Sequence, residues 1–323
     1  METETTNQNN AIPFQNLFLT KGFITGKNEP WRYVLGIIIA AVGYFVFQSI
    51  IMFPLMNAAL NNGVLMNGII QNPNIIFSPE KTGINKSVLL AIMMGMFVFT
   101  LLFFWLAIKF IQKKPLSSVI TGFDRIRWSH YFFAFLVWGL LLIGLTVVSY
   151  LISPQDMVLQ FNPSAFVILV IVAVVFIPIQ TATEEILFRG YLMQGLGIGL
   201  KNGIFPLIIT SILFGLMHGT NPEAQAHGFL IMMPYYILFG AFLGVLTLLD
   251  EGAELAMGIH CANNLFSSLL VCSKNSVLQT DAIFYTTVEN PSGEFFIWII
   301  MALVCFIILR KKYQLTNWSL ILR

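Results

Sequence analysis

Apolar runs long enough to cross a bilayer recur along this 323-residue chain. A helix needs about 20 predominantly apolar residues to span the hydrocarbon core, because each residue advances it by only about 1.5 Å. Between polar breaks, eight such segments are expected, at 33–58, 88–111, 131–153, 165–197, 203–218, 228–249, 253–272 and 294–310. The fourth is too long for a simple span, and Pro178 inside it predicts a kink. The fifth and eighth are short, and the seventh is only moderately apolar. Charged residues make up 10% of the chain, against about 25% in soluble domains. The mean hydropathy is +0.80. The expected fold is therefore all-α, a polytopic membrane helix bundle of about eight transmembrane helices. No repeat or long linker divides it, so residues 31–323 are expected to form one membrane domain behind a polar cytoplasmic segment, 1–30.

The opening METETTNQNN is acidic and polar, with no basic stretch and no cleavage site, so a signal peptide is not expected there. Cys261, Cys272 and Cys305 fall in or beside apolar segments, odd in number and without CxxC pairing. They suggest neither disulfides nor a thiolate metal site. The net charge of +2 gives no reason to expect nucleic acid as a partner; the lipid bilayer is the partner that the composition requires. With the N-terminus placed inside, Lys21, Lys27, Arg32, Lys109, Lys113, Lys114, Arg125, Arg127, Arg189, Lys201, Arg310, Lys311, Lys312 and Arg323 all fall in the cytoplasm, while Lys81, Lys86 and Lys274 fall outside. Fourteen against three is a strong positive-inside bias. A multi-pass protein of the cell membrane is expected, with both termini cytoplasmic.

Three polar clusters interrupt the later segments. They are Glu184, Glu185 and Arg189 in "TATEEILFRG", Phe214 and His218 in "FGLMH", and His260 and Asn264 in "HCANN". An ionisable group at the centre of a membrane helix costs about 2.5–3.5 kcal/mol on insertion scales, so such groups usually line a cavity and act there. Residues four apart share a helical face, whereas adjacent residues point about 100° apart. Glu185 and Arg189 can therefore pair, and Glu184 points elsewhere. A poorly solvated carboxylate without a cation is suited to taking a proton from water. His260 and Asn264 share a face and can both donate hydrogen bonds, as a tetrahedral oxyanion requires. Singly, each has a plainer reading: Glu185–Arg189 as a structural clamp, Phe214 as core packing, and the histidines and Asn264 as links between helices. His130, beside Trp128 and Tyr131, and His227, in a polar loop, are expected to be structural.

Taken in order, "EEILFR", "FGLMH" and "HCANN" fit EExxxR, FxxxH and HxxxN on three successive segments. This pattern, over about residues 165–272, resembles the CPBP family of CAAX proteases and bacteriocin-processing (Abi-type) intramembrane proteases. The third motif ends in Asn, as in the type II CAAX prenyl endopeptidases. The resemblance implies an intramembrane endopeptidase with Glu184 as the base and His218 as its partner in activating water. It further implies His260 and Asn264 as the oxyanion hole, with Glu185, Arg189 and Phe214 in support. Its substrate would be a peptide or membrane-associated protein, CAAX-like or of the bacteriocin and leader type. The family has long been labelled metalloprotease. Zinc wants three protein ligands, which Glu184, His218 and His260 could nominally supply. HExxH is absent, so no cofactor is favoured and zinc stays the alternative. The competing class is a transporter or a non-catalytic immunity scaffold, since broken helices and buried charges also mark transport sites. Against it, no inverted repeat is visible, and the polar groups crowd into one half.

One further expectation is geometric. "GLGIGLKNG" (195–203) suits a turn between antiparallel helices. With Lys201 as the turn, Glu184 and His218 are equidistant from it, each about 25 Å away, and so lie level across a hairpin. A shared cavity entered from the cytoplasmic side is expected, with the carboxylate and the ring about one water apart. The charge bias predicts that reporter fusions at the C-terminus are active only with a cytoplasmic reporter. Activity confined to an external reporter would invert the topology.

Overall fold

The computed structural model describes residues 14–322; METETTNQNN and Arg323 lie outside the described residues. Helices account for about three quarters of it, those of eight residues or more being α1 (Leu17–Ile24), α2 (Pro30–Asn61), α3 (Lys86–Leu106), α4 (Trp128–Ile152), α5 (Pro163–Glu185), α6 (Met193–Leu200), α7 (Ile204–Met217), α8 (Phe229–Leu249), α9 (Glu254–Leu270) and α10 (Pro291–Tyr313). All eight expected segments are helical, and the all-α polytopic bundle is the observed architecture. Asparagine starts many of these helices. Asn85, Asn162 and Asn290 each accept a backbone N–H from the first turn of α3, α5 and α10, and proline follows in the last two. A side-chain acceptor followed by a residue lacking its own N–H satisfies the orphan donors of a helix start.

Six helices are long and apolar enough to cross a membrane: Pro30–Asn61, Lys86–Ile111, Trp128–Ile152, Pro163–Leu200, Phe229–Leu249 and Pro291–Tyr313. The other two expected spans differ for physical reasons. α7 has 14 residues, about 21 Å of helix, too short to reach across. α9 has 17 residues, of which 11 are buried, including every one from Glu254 to Ala262. It is a core helix surrounded by protein, which is why its sequence is only moderately apolar. Its closest neighbour is α4, where a Cβ on Gly258 would run into the Tyr131 carbonyl oxygen. Trp138 Nε1 on α4 donates to Asn263 Oδ1 at 3.1 Å. Helices that approach this closely in membranes use small residues at the crossing.

α5 and α6 form one long rod, from Pro163 to Leu200, interrupted by a π-helical stretch at Ile186–Leu192. Pro178 sits inside α5, but the irregularity lies about two turns further on. The expected turn is present: Lys201 adopts a left-handed backbone at φ 56°, and α7 begins three residues later. Asn202 then accepts the Phe205 N–H at 3.0 Å. At the opposite end, strands Met157–Leu159, Val271–Ser273 and Phe284–Thr286 form a small sheet that joins the loops leaving α4 and α9.

The N-terminal segment holds more structure than a polar tail. In α1, Phe18 and Leu19 are fully buried. Gln194 Nε2 on α6 donates to the Phe18 and Ser118 carbonyls at 3.0 and 2.8 Å. Asn16 Nδ2 donates to the Leu248 carbonyl at 2.8 Å and to the Leu320 carbonyl at 3.2 Å. Both ends of the described chain therefore lie at the same end of the bundle, as an even number of crossings requires. The three cysteines are free and buried.

Gly190, within the π-helical stretch, leaves no room for a side chain, because a Cβ there would overlap the Val119 carbonyl oxygen. Overpacking of this kind costs about 1–3 kcal/mol. Gly190→Ala is expected to lower the melting temperature in detergent by several degrees. Unchanged melting would show that the backbone does not approach so closely.

Candidate active site

The three polar clusters converge on one region between α5, α7, α8 and α9. α5 delivers its last residues there with Thr183 Oγ1 bonded back to the Ile179 carbonyl at 2.7 Å. The two adjacent glutamates then part, as the 100° step between neighbours on a helix requires. Glu185 is fully buried and Arg189 is 1% exposed. Arg189 Nη1 donates to Glu185 Oε1 at 2.8 Å, and Nη2 donates to the Gly240 carbonyl of α8 at 3.0 Å. The guanidinium also lies 4.3 Å from the Phe214 ring centroid, a cation–π contact in a dry setting.

The same carboxylate oxygen reaches a second partner, His260 Nδ1 of α9, at 2.7 Å. With the Nδ1 hydrogen donated to Glu185, His260 turns its Nε2 toward Glu184 Oε2 at 3.7 Å and Asn264 Nδ2 at 3.4 Å. Glu185 is thus both the counter-ion of Arg189 and the group that orients His260. The i,i+4 pairing with Arg189 is visible in the sequence; the link to His260 is not, since it depends on how α9 packs against α5.

Gln180 was not singled out from the sequence. Its Nε2 donates to Glu184 Oε1 at 2.5 Å, while its Oε1 accepts from Asn264 Nδ2 at 3.0 Å. It therefore ties Glu184 to Asn264 across α5 and α9. The available signal was its place four residues before Glu184, on the same helical face, as an amide in an otherwise oily run. Glu184 Oε2 has no hydrogen-bond donor in the protein. Glu185 Oε2 also lacks one, but the Glu184 side chain keeps 15% exposure and that of Glu185 none. Of the two side chains, that of Glu184 is the one with some exposure, although its Oε2 atom is itself buried.

His218 ends α7, with Nδ1 bonded to the Phe214 carbonyl at 2.7 Å. Its ring is held between Phe214 at 4.5 Å and the Tyr236 ring at 4.8 Å. Phe214 also packs at 5.8 Å against His260, so the two histidines share one aromatic neighbour. His218 makes no hydrogen bond or ion pair with Glu184. Tyr236 was also missed; its hydroxyl donates to Glu223 Oε1 at 3.0 Å. Burial raises the Glu223 carboxyl above its ordinary range. The other two histidines serve the frame: His130 stacks on Tyr313 at 3.9 Å and bonds Asp250, and His227 pairs with Glu289 at 2.9 Å.

One nitrogen of His260 is bonded to Glu185 and one of His218 to a backbone carbonyl, which leaves Nε2 of each ring as the nitrogen a metal would use. Among the described residues no three of His, Cys, Asp and Glu are placed to hold a metal ion.

Comparison with known proteins bears on the same residues. A profile of the family described as type II CAAX prenyl endopeptidase Rce1-like matches residues 163–266, which contain all three clusters. The chain is also 33% identical over 284 residues to YyaK, an uncharacterized protein of Bacillus subtilis (strain 168), covering 87% of this chain and 91% of that one. No solved structure matches.

Breaking a buried ion pair by removing one partner strands the other, at about 3–5 kcal/mol. Glu185→Gln and Arg189→Ala are therefore expected to lower both thermal stability and the yield of folded protein. Melting unchanged in both variants would mean that the pair is not buried.

Proposed function

The chain belongs to the Rce1-like family of CAAX-type intramembrane proteases, and on that premise we propose that it hydrolyses a peptide bond with a water activated by Glu184. The observation that carries this reading is the division of labour between two adjacent carboxylates. Glu185 is committed to Arg189 and His260. Glu184 keeps one oxygen without a protein donor on its more exposed side chain.

Glu184 Oε2 takes a proton from water as the oxygen attacks the scissile carbonyl carbon. Gln180, holding Oε1, fixes the direction in which Oε2 points. The carbonyl π-electrons move onto oxygen, and the resulting oxyanion is met by Asn264 Nδ2 and, in the doubly protonated ring of His260, by Nε2–H. Two donors converging on one oxyanion are each worth about 10²–10³ in rate in comparable sites. The proton held by Glu184 then passes to the leaving amine as the tetrahedral intermediate collapses. His218, its ring packed against Phe214 and Tyr236, would serve as the second partner of the water. Phe214 acts as a packing neighbour of both histidines and as a cation–π partner for Arg189.

The substrate class follows from the setting: a peptide segment presented at the membrane, either the C-terminal CAAX-like end of a protein or a leader or bacteriocin-type peptide. The test is a cleavage assay in detergent with prenylated and unprenylated peptides. Glu184→Gln keeps the shape and cannot take the proton, so turnover should fall about 10²–10⁴-fold while melting stays near wild type. Zinc should be substoichiometric in active wild-type enzyme. Near-wild-type turnover by Glu184→Gln would end the general-base assignment, and activity lost to chelators and restored by zinc would end the metal-free one.

A further inference from the structure

A second feature lies away from these residues, at the far end of α3. The helix passes through a π-helical turn, Ala107–Ile111, and then stops. Lys114 N bonds the Ile108 carbonyl at 3.1 Å, and Lys113 takes a left-handed backbone at φ 55°. The chain thereby folds Lys113 and Lys114 back beside Lys109. A cavity of about 500 Å³ opens here, lined by Trp105, Lys109, Lys113, Lys114, Pro115 and Leu116.

The charged residues that line it are all of one sign. None of the ion pairs among the described residues involves Lys109, Lys113 or Lys114. Lys109 and Lys113 are exposed. The Lys109 ammonium lies 4.8 Å from the Trp105 ring and 5.3 Å from the Phe110 ring. Lys114 is buried to 3% exposure, its Nζ donating to the Gly22 carbonyl at 2.9 Å and to the Tyr33 hydroxyl at 3.1 Å. Burial pulls that ammonium down to about 8. A cation held in a dry place with only neutral acceptors is stabilised by any anion brought near it.

The cavity is also amphipathic, and it sits at the end of a membrane span. Phe110, beside Lys109, and Leu102, about two turns further back along the helix, are exposed, at 61% and 47%. A ligand matching this surface carries a negative head level with the lysines and a hydrocarbon chain running along Trp105, Phe110 and Leu102. We propose that this cavity binds an anionic phospholipid, its phosphate between Lys109 and Lys113. Basic pockets beside transmembrane helices at the headgroup level recognise such lipids in this way. A free phosphate would use the same lysines and leave the apolar flank uncovered.

The experiment uses purified full-length protein, delipidated in neutral detergent, with bound lipid counted by native mass spectrometry and stability followed by melting. Wild type should retain phosphatidylglycerol at least tenfold better than phosphatidylcholine and melt higher with the former. The double variant Lys109→Gln/Lys113→Gln should fall to the phosphatidylcholine level, while melting as wild type does in phosphatidylcholine. If the double variant is poorly folded, Lys113→Gln alone should give a partial loss. A control variant, Lys311→Gln/Lys312→Gln at the end of α10, should bind phosphatidylglycerol as wild type does. Equal retention of the two lipids by wild type would overturn the proposal, as would unimpaired binding by the lysine variants. Equal loss in the control would attribute binding to diffuse surface charge and overturn it too. Stabilisation by soluble glycerol phosphate matching that by the lipid would mean an anion site without lipid recognition, and the lipid assignment would fall.

Discussion

The buried ion pair on which the site is built is organised by one carboxylate oxygen, Glu185 Oε1. It accepts from Arg189 on the same rod and from His260 on α9, both within 2.8 Å. Arg189 in turn reaches the Gly240 carbonyl of α8 and lies over Phe214 of α7. Four helices are thereby joined through two side chains. In water such contacts would be worth little, because each group would exchange one partner for another. In a site where these residues are almost fully buried the alternative partner is missing, and breaking one contact exposes the cost of the other. The ionic pair specifies which helices must meet and in what register.

That specification explains which parts of the molecule were legible in the sequence. The long apolar runs gave away the six spans, since length and hydropathy are properties of each segment alone. The two short helices, α7 and α9, fall outside the six long apolar spans, a distinction hard to draw from sequence because burial by protein and burial by lipid leave nearly the same composition. α9 differs in carrying Asn263, Asn264, His260 and Glu254 along 17 residues, which only makes sense for a helix whose neighbours are other helices. The docked α1 was also out of reach: Phe18 and Leu19 are too few to announce burial, and the groups that hold the segment, Gln194 on the Phe18 carbonyl and the Leu248 carbonyl on Asn16, lie far along the chain.

The site was legible to the same depth. Helical spacing separated Glu184 from Glu185 and paired Glu185 with Arg189, both local facts. The partner of His260 and the bridge through Gln180 arise where α9 crosses α5, so no spacing within one helix contains them. The hairpin argument put the turn at Lys201, where the left-handed residue is found. It took the rod to be regular, whereas Ile186–Leu192 is π-helical. A π-stretch shifts the rotation of everything beyond it relative to a straight helix, and such insertions recur at functional sites. Here it lies just past Glu185, and Gly190 lets the rod press against the Val119 carbonyl at that level.

The charges in "TATEEILFRG" are tolerated chiefly because protein groups satisfy them, which changes what solvent has to do. A water-filled cavity was expected to carry the cost of both glutamates and the arginine. Instead Glu185, Arg189 and His260 are each 2% exposed or less and bind one another. Solvent is left with the two oxygens that no protein donor reaches, Oε2 of Glu184 and Oε2 of Glu185, and of these side chains only that of Glu184 keeps any exposure. A general base needs one carboxylate oxygen held so that its direction is fixed, here by Gln180, and the other without a protein donor. Engagement of Arg189 and of His260 Nδ1 at Glu185 Oε1 keeps both from bonding Glu184. On this argument the second glutamate of the motif protects the first, and adjacency in sequence is the simplest way to place a carboxylate engaged by a cation and one that is not on two faces of one helix.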